Sequence, residues 1–307
     1  MELRQLKYFV RVVELGSMGR AALDLGVVPS TLSQQISRLE SELSTRLLQR
    51  TSTGITPTAA GIAFFQEAQL VLRHTASARQ AAQSARLAGH VAIGLAPTTS
   101  SVLALPLVKA MRARYPDVRL HLVESLSGNL ADMLGQRRLD LAVLFHAGQK
   151  EGWSLTPVLR EQLFIIGHPG HFPALLGNTP SLRDLSPLPL VLPTGAHGLR
   201  AIIDAAFFHD GHEPNLLAQV DGLSMLMDIV REGLAITIQP GAAAVRAHDR
   251  HLACVPLANK HMVRRNLVAS LADDQLSPAG LAARVVLVDV MRTLVEQKAW
   301  PGATLDS

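Results

Sequence analysis

Three stretches of helical periodicity, separated by two breaks, fill the first part of the chain and constrain its fold more than any other feature. Apolar residues of the first stretch recur at three- and four-residue spacing, at Leu3, Leu6, Val10 and Val13. This spacing places them on one face of a helix. Ser17 offers an N-cap oxygen to a second, short helix that Gly26 ends. The segment therefore predicts short helices that pack on one another.

The third stretch predicts a helix with one apolar and one polar face. Its apolar face holds Leu32, Ile36, Leu39 and Leu43. Its polar face holds Ser30, Ser33, Gln34, Ser37, Arg38 and Ser41. A short helix, a tight turn and a polar-faced helix form the arrangement that reads the major groove of DNA. The pattern thus predicts a helix-turn-helix whose partner is double-stranded DNA.

One stretch without a gap resembles the DNA-binding end of LysR-type transcriptional regulators. It runs from Leu6 to Gly61 and reads LKYFVRVVELGSMGRAALDLGVVPSTLSQQISRLESELSTRLLQRTSTGITPTAAG. Within that family, the chain is most similar to the nitrogen-assimilation-control group. The resemblance implies an N-terminal all-α winged helix-turn-helix with a long linker helix. It also implies a C-terminal α/β effector domain of two sub-domains, similar to periplasmic solute-binding proteins.

The resemblance further implies an order of domains and a set of partners. We expect a DNA-binding domain at 1–58, a linker and dimerisation helix at 59–88 and an effector domain at 89–300. Sub-domain I would combine about 90–161 with 266–300, and sub-domain II would span about 162–265. Expected partners are promoter DNA, a small effector that is often a carboxylate, further copies in a homodimer or homotetramer, and RNA polymerase.

The distribution of charge supports the DNA prediction independently of the motif. Residues 1–90 hold ten Lys and Arg against six Asp and Glu, whereas residues 91–307 hold nineteen of each. The net charge of +4 therefore lies in the first part, as a phosphate-binding surface requires, although a solvated basic face would show the same excess. The single cysteine, Cys254, excludes an intrachain disulfide. No apolar run is long enough to cross a bilayer, and the family resemblance implies a cytoplasmic protein without membrane contact.

A heptad-like seam predicts a long helix from about Ala59 to Leu87. The seam consists of Phe64, Ala68, Val71, Thr75, Ala78 and Ala82. Because a lone helix would expose this seam to water, we interpret it as the linker helix that pairs antiparallel with its twin in the family. The alternative is a helix that packs on its own domain.

After Gly89, predicted strands alternate with helices, an order that predicts a parallel α/β sheet. The predicted strands are 90–95, 118–123, 139–145, 163–167, 188–192, 217–220, 235–238, 252–256 and 266–271. The chain is expected to cross between sub-domains near Arg160 and near Arg264. A closing helix is predicted over Pro278–Glu296. The tail from Trp300 to Ser307 holds Pro, Gly, Thr and Ser and is predicted to be loose.

Candidate DNA contacts lie on the third helix and in the wing behind it. They are Ser30, Thr31, Ser33, Gln34, Gln35, Arg38, Arg50 and Thr53. The glutamine amides can hydrogen-bond base edges and the arginines suit phosphates. The residues at the helix N-terminus lie beside backbone N–H groups that favour phosphate. Pro29 stands where relatives usually carry a glutamine that touches a base, so the preferred sequence should differ in detail. The alternatives are a solvated Gln34 and a plain polar loop at Arg50–Pro57.

Candidate effector contacts follow the predicted strands, because doubly wound folds bind ligands at the carboxyl ends of strands. They are Thr98, Thr99, Ser100, Ser127, Gly128, His146, Pro193, Thr194 and Gly222. Simple helix capping explains any one Ser or Thr equally well, and a surface role is the alternative for His146. Gln239 could add a polar group near the cleft.

The sequence offers little support for an enzyme. It lacks the GxGxxG, phosphate-loop, HExxH and GxSxG motifs, and we predict no cofactor and no metal. His168-x-x-His171 and His248-x-x-His251 have metal-like spacing but stand in predicted loops. We predict a DNA-binding transcriptional regulator that an effector modulates. Two alternatives remain open: a regulator that acts without a ligand, and a metabolite-binding or enzymatic α/β protein whose N-terminal part serves only oligomerisation.

Overall fold

The chain divides into two compact units, Met1–Arg86 and Leu87–Ser307. The computed structural model describes residues 1–51, 54–83, 87–145, 152–171, 180–195, 198–247, 252–257 and 262–306. Within these ranges, no helix combines the length and the apolar character needed to cross a membrane.

The N-terminal unit consists of short helices, a two-stranded wing and a long helix. Its helices are α1 (Leu3–Leu15), α2 (Met18–Leu25), α3 (Pro29–Glu42) and α4 (Ala59–Gln83). Its strands are β1 (Leu48–Thr51) and β2 (Gly54–Pro57), which pair antiparallel. As predicted, the Ser17 side chain caps α2 by accepting the N–H of Arg20, and Gly26 ends α2 in the left-handed conformation.

Two apolar clusters hold this unit together. One joins α1, α3 and the start of α4 through Leu6, Phe9, Val10, Leu39, Leu47 and Ala68. The other joins α1, α2 and α3 through Tyr8, Val12, Ala21, Ala22, Leu32 and Ile36. Of the predicted seam of α4, Phe64 and Ala68 pack inside the unit, with the Phe64 ring edge-on to Phe9 at 5.2 Å between centroids. Val71 and Ala78, further along the seam, are exposed.

The C-terminal unit alternates strands and helices. Its strands are β3 (Gly89–Leu95), β4 (Val118–Glu124), β5 (Leu141–Leu144), β6 (Trp153–Gly167), β7 (Leu190–Leu192), β8 (Leu216–Gln219), β9 (Thr237–Pro240), β10 (Ala253–Pro256), β11 (Val263–Leu271) and β12 (Ala303–Leu305). Its α-helices are α5 (Pro97–Arg114), α6 (Ser127–Gly135), α7 (Leu182–Leu185), α8 (Gly198–His209), α9 (Leu223–Arg231), α10 (Ala242–Ala247) and α11 (Pro278–Glu296). Short 3-10 turns lie at Pro169–His171 and Asp273–Gln275.

The large sheet is mixed, so the prediction of a parallel sheet is wrong for most of it. Its strand order is β10-β6-β11-β5-β3-β4, and β9 and β12 also pair with β6. Strands β3, β4 and β5 are parallel to one another, whereas β11 runs antiparallel to both β5 and β6. The physical reason is the double crossing. The chain leaves the first half of the unit along β6 and returns along β11, so these neighbours run in opposite directions.

Strand β6 is one continuous element of 15 residues, where the sequence predicted only its last five. Up to Gln162 it pairs with β11, and from Leu163 onward it pairs with β9 and β10. The pairing therefore changes close to Arg160. We call the part of the unit built on β3, β4 and β5 sub-domain I, and the part built on β7, β8 and β9 sub-domain II.

The C-terminal segment is ordered, so the prediction of a loose tail is wrong. Strand β12 pairs antiparallel with β6, and the Trp300 side chain is buried. The Asp306 carboxylate accepts hydrogen bonds from Arg160 and Arg265. Gly302 has a φ of 70°, and a Cβ there would lie 2.5 Å from the Phe164 ring. The glycine thus serves a tight turn against a ring, because no other residue fits both constraints.

Candidate nucleic-acid interface and ligand cleft

Helix α3 presents most of its predicted polar face to solvent. Ser30, Thr31, Gln34 and Arg38 are exposed, and Ser33 is half-buried. The helix begins at a proline, and the residue before it provides no side-chain cap. Backbone N–H groups of the first turn therefore lie beside exposed hydroxyls, an arrangement that suits a phosphate oxygen.

Gln35 does not lie on this face, which corrects its prediction as a base contact. It is 8% exposed, and its side-chain oxygen accepts a hydrogen bond from Nε2 of Gln5 at 3.4 Å. Successive residues of a helix are rotated by about 100°, so the side chain after Gln34 turns toward α1. Gln35 ties α3 to α1.

The wing is anchored on the C-terminal end of α1. The N–H of Ile55 donates to the carbonyl of Gly16 at 3.0 Å. Gly54 has a φ of 135°, and a Cβ there would lie 2.6 Å from the same carbonyl oxygen. Glycine is therefore required at this turn. Arg50 is exposed on β1, and Thr53 lies outside the described residues.

A concave surface separates α3 from the wing. Its lining includes Ser33, Ser37, Glu40, Arg46, Gln49 and Arg50. The sequence prediction did not include Arg46 and Gln49 among the contacts, although the absence of acids between Leu43 and Gln66 was a signal for Arg46. The Arg46 side chain is 83% exposed. The surface combines donors and positive charge, which is the chemistry of a nucleic-acid interface.

A cleft lies between the two sub-domains of the C-terminal unit, where α5, α6 and α9 begin. It contains about 460 Å³ of space, part of it open to solvent. Its described lining is Ala96, Pro97, Thr98, Leu126, Ser127, Phe145, Pro193, Leu199, Val220, Asp221, Leu223, Leu226, Gln239 and Arg264. Thr98, Ser127 and Pro193 thus lie where the sequence predicted ligand contacts, and Gln239 joins them. His146 lies outside the described residues.

The remaining candidates lie near the cleft without lining it in the part of the chain that is described. They are Thr99, Ser100, Gly128, Thr194 and Gly222. Thr99 is fully buried, and the Ser100 hydroxyl donates to Glu124. Thr194 holds a lining residue in place, because its N–H donates to the Asp221 carboxylate at 2.9 Å. Gly222 occupies the N-cap position of α9.

A buried arginine at the cleft was missed by the sequence prediction. Arg264 is 2% exposed and pairs with Glu161 across β11 and β6. Its Nη2 and Nε donate to Oε2 of Glu161 at 2.6 and 2.9 Å. Nη2 also donates to the Thr98 hydroxyl at 2.9 Å, and the guanidinium lies 3.6 Å from the centroid of the Phe145 ring. Burial lowers the pKa of Arg264, and the Glu161 charge opposes that effect.

Glu161 connects this arginine to the C-terminal segment. It is fully buried, and its Oε2 also accepts from Nδ2 of Asn266 at 2.7 Å. Its Oε1 accepts from Nε1 of Trp300 at 2.8 Å. Pairing and hydrogen bonding of this kind offset the desolvation penalty of a buried charge. Arg264 and Trp300 stand 103 and 139 residues from Glu161 in sequence, so no local pattern could reveal them.

A metal site and a reactive cysteine have little support among the described residues. Among the described residues, no group of three or more His, Cys, Asp and Glu could hold a metal ion. Residues 248–251, which include one of the two histidine pairs, lie outside them. Cys254 is exposed as a residue, yet partial burial of its thiol raises its pKa to about 11. That shift disfavours the thiolate, the reactive form of cysteine.

A winged helix-turn-helix, joined to a two-lobed α/β unit with a cleft between its lobes, defines a DNA-binding regulator that carries a ligand-binding domain. Residues 3–62 match the model for bacterial regulatory helix-turn-helix proteins of the lysR family, and residues 84–292 match the LysR substrate binding domain. The chain belongs to the LysR family of transcriptional regulators, which confirms the resemblance seen in the sequence.

Relatives and solved structures agree with this assignment. The nitrogen assimilation regulatory protein nac of Escherichia coli K12 is 30% identical over 305 residues, which cover 98% of this chain and 99% of that protein. Its counterpart from Klebsiella aerogenes is 34% identical over 247 residues, 80% of each chain. A single-substitution variant of full-length OxyR from Pseudomonas aeruginosa matches with a TM-score of 0.75 at 23% identity over 95% of each chain.

Full-length CbnR complexed with its target DNA matches with a TM-score of 0.66 at 24% identity, over 95% of this chain and 100% of that chain. At these identities the structural matches establish the fold. They confirm the predicted fold class, a winged helix-turn-helix followed by an α/β effector domain similar to periplasmic binding proteins.

Proposed function

We propose that α3 enters the major groove of promoter DNA while the wing lies over the adjacent minor groove. The observation that supports this is the exposed polar face of α3, whose N-terminus has no side-chain cap, beside a wing anchored on α1. Gln34 would read a base edge, and Ser33 would contact base or phosphate. Ser30, Thr31, Arg38, Arg50 and Thr53 would contact the backbone. CbnR, which shares the fold, was solved with its target DNA.

We propose that the protein acts as a homodimer or homotetramer. The exposed part of the α4 seam, which includes Val71 and Ala78, would pair antiparallel with the same seam of a second copy. The DNA-binding domain (1–58), linker helix (59–88) and effector domain (89–300) would then be separate functional parts. RNA polymerase would be a further partner at the promoter.

We propose that a small effector that carries a carboxylate binds the cleft between the sub-domains. Three helix N-termini meet there, and each carries a partial positive charge that favours an anion. Thr98, Ser127, Gln239 and Arg264 would supply polar contacts beside apolar walls. The effector must bind one arrangement of the sub-domains more tightly than another, because otherwise it shifts nothing.

Two substitutions on α3 should separate sequence reading from backbone contact. On the duplex that the wild-type protein selects from a random pool, Gln34→Ala should reduce discrimination at one base position by about 1–3 kcal/mol. Arg38→Ala should weaken binding to all duplexes alike and lower the slope of log affinity against log salt by about 1 for each bound copy. Fluorescence anisotropy at several salt concentrations measures both.

The exposed Arg4 of α1 provides the control for Arg38, and Arg4→Ala should leave the salt slope closer to the wild-type value. An unchanged base preference in Gln34→Ala would contradict the placement of α3 in the groove.

An effector in the cleft should stabilise the C-terminal unit. Both tryptophans, Trp153 and Trp300, lie in that unit, so tryptophan fluorescence follows its unfolding. At one hundred times its Kd, a small carboxylate should add about 2.7 kcal/mol. Ser127→Ala, in the lining, should reduce this shift, whereas Ser224→Ala, an exposed hydroxyl on α9, should not. If no member of a carboxylate panel shifts the midpoint at millimolar concentration, the regulator acts without such a ligand.

A further inference from the structure

An acidic side chain lies beside the proposed DNA contacts of α3 and the wing. Glu40 belongs to α3, two residues after Arg38, and it lines the concave surface between α3 and the wing. A carboxylate that faced DNA phosphates would oppose binding, because that binding depends on neutralising phosphate charge. The hydrogen bonds of Glu40 to the backbone of the wing indicate a structural role instead.

Glu40 holds the chain where the wing begins. Its side chain is 8% exposed. Its Oε1 accepts the N–H of Leu47 at 2.8 Å and the N–H of Leu48, the first residue of β1, at 3.0 Å. Hydrogen bonds to an ionised acceptor are stronger than neutral ones, and buried donors that lose their acceptor are costly. Helix α3 is therefore hydrogen-bonded directly to the start of the wing.

The same short segment is held from the other side by the start of α4. The N–H of Thr58 donates to the carbonyl of Leu47 at 2.9 Å, and the Thr58 hydroxyl donates to the carbonyl of Arg46 at 2.8 Å. The Thr58 hydroxyl also accepts the N–H of Gly61 at 3.0 Å in the first turn of α4. Residues 46–48 are thus clamped between α3 and α4, and Glu40 is the side chain that provides the α3 half of the clamp.

The contact between Glu40 and the exposed Arg46 is a secondary feature. Arg46 Nη1 lies 3.2 Å from Glu40 Oε2, but the arginine side chain is 83% exposed. Such pairs contribute little to stability. The bonds to the two backbone N–H groups fix the wing.

We propose that Glu40 is a positioning residue for DNA binding: without touching DNA, it sets the wing so that Arg50 reaches the backbone while α3 lies in the groove. This inference rests on the proposed DNA-binding function. It predicts that the contribution of Arg50 depends on Glu40, whereas the contribution of Gln34, on the helix itself, does not.

A double-mutant cycle on full-length protein tests this dependence. The probe is the duplex that the wild-type chain selects from a random pool. Glu40→Ala should lower affinity by at least about tenfold, as the loss of charge-assisted hydrogen bonds can produce. Arg50→Ala should cost clearly less in the Glu40→Ala background than in the wild type. Gln34→Ala should cost the same in both. The matched control is Glu42→Ala, an exposed glutamate at the end of the same helix, which should not weaken binding.

Three outcomes would overturn the proposal: Arg50→Ala costs the same in both backgrounds, Arg50→Ala has no effect in the wild type, or Glu40→Ala diminishes the Gln34 effect equally. If circular dichroism shows that Glu40→Ala does not fold, Glu40→Gln enters the same cycle, because it keeps an acceptor oxygen and loses the charge. A wild-type chain that selects no duplex would instead overturn the DNA-binding proposal at the first step.

Discussion

Replacing Arg264 by methionine should lower the free energy of unfolding of the C-terminal unit by about 3–5 kcal/mol, the usual effect of leaving a buried charge without its partner. The charge left behind is Glu161, which is fully buried. Asn266 and Trp300 would still donate to it, but neither carries a positive charge. Replacing both ions, Glu161→Gln with Arg264→Met, should recover part of the loss, because no buried charge then remains and the amide oxygen can still accept from Trp300.

Urea unfolding followed by tryptophan fluorescence measures this effect on the C-terminal unit, since both tryptophans lie within Leu87–Ser307. Arg114 and Asp289 form an exposed pair at 2.8 Å in the same unit and provide the control. Arg114→Met should change the free energy of unfolding by less than about 1 kcal/mol. If Arg264→Met costs no more than this control, the buried network does not stabilise the unit.

Replacing Gly61 by alanine should destabilise the N-terminal unit by about 1–3 kcal/mol or more, the range observed for overpacking. A Cβ at Gly61 would lie 2.0 Å from the carbonyl oxygen of Leu47, a backbone atom that cannot rotate away. The start of α4 or the base of the wing must therefore move. DNA affinity should fall with stability, because Leu47 lies next to the first strand of the wing.

Thermal unfolding followed by the helical circular-dichroism signal measures the loss. The unfolding midpoint of the C-terminal unit, followed by tryptophan fluorescence, should stay unchanged. Gly19→Ala is the matched control. Gly19 lies in α2, and among the described residues no atom would stand within 4 Å of a Cβ added to it. That change should be neutral or stabilising by up to about 1 kcal/mol. Equal stability of the two variants would contradict the close approach of α4 to the wing.

Local signals were enough to predict the N-terminal unit. The apolar spacing of α1 and α3, the Ser17 cap and the glycine at position 26 all depend on near neighbours. Each holds in the structure, except that Leu3, at the start of the predicted face of α1, is 43% exposed. The error at Gln35 has a clear cause. That side chain is turned inward by a partner, Gln5, that lies 30 residues earlier in the sequence. Polarity alone cannot tell an exposed amide from a buried one.

The C-terminal unit was harder to predict, because its defining contacts join distant parts of the chain. The crossing of β6 and β11 reversed the expected strand directions, and the Glu161–Arg264 pair depends on that crossing. Composition misled the prediction for the tail, since Pro301 and Gly302 were interpreted as signs of a loose end. In the structure they make a turn against Phe164, and β12 then pairs with β6. Of the cleft, the sequence located Thr98, Ser127 and Pro193, which follow strands directly, and missed Arg264.

The most direct test of the central claim, that α3 and the wing read promoter DNA, is selection of duplexes from a random pool by the wild-type protein. We expect enrichment of one sequence with two half-sites related by two-fold symmetry, spaced by whole helical turns. Its affinity should fall steeply as salt rises. Recovery of duplexes without a shared sequence, or binding that salt does not weaken, would contradict this claim.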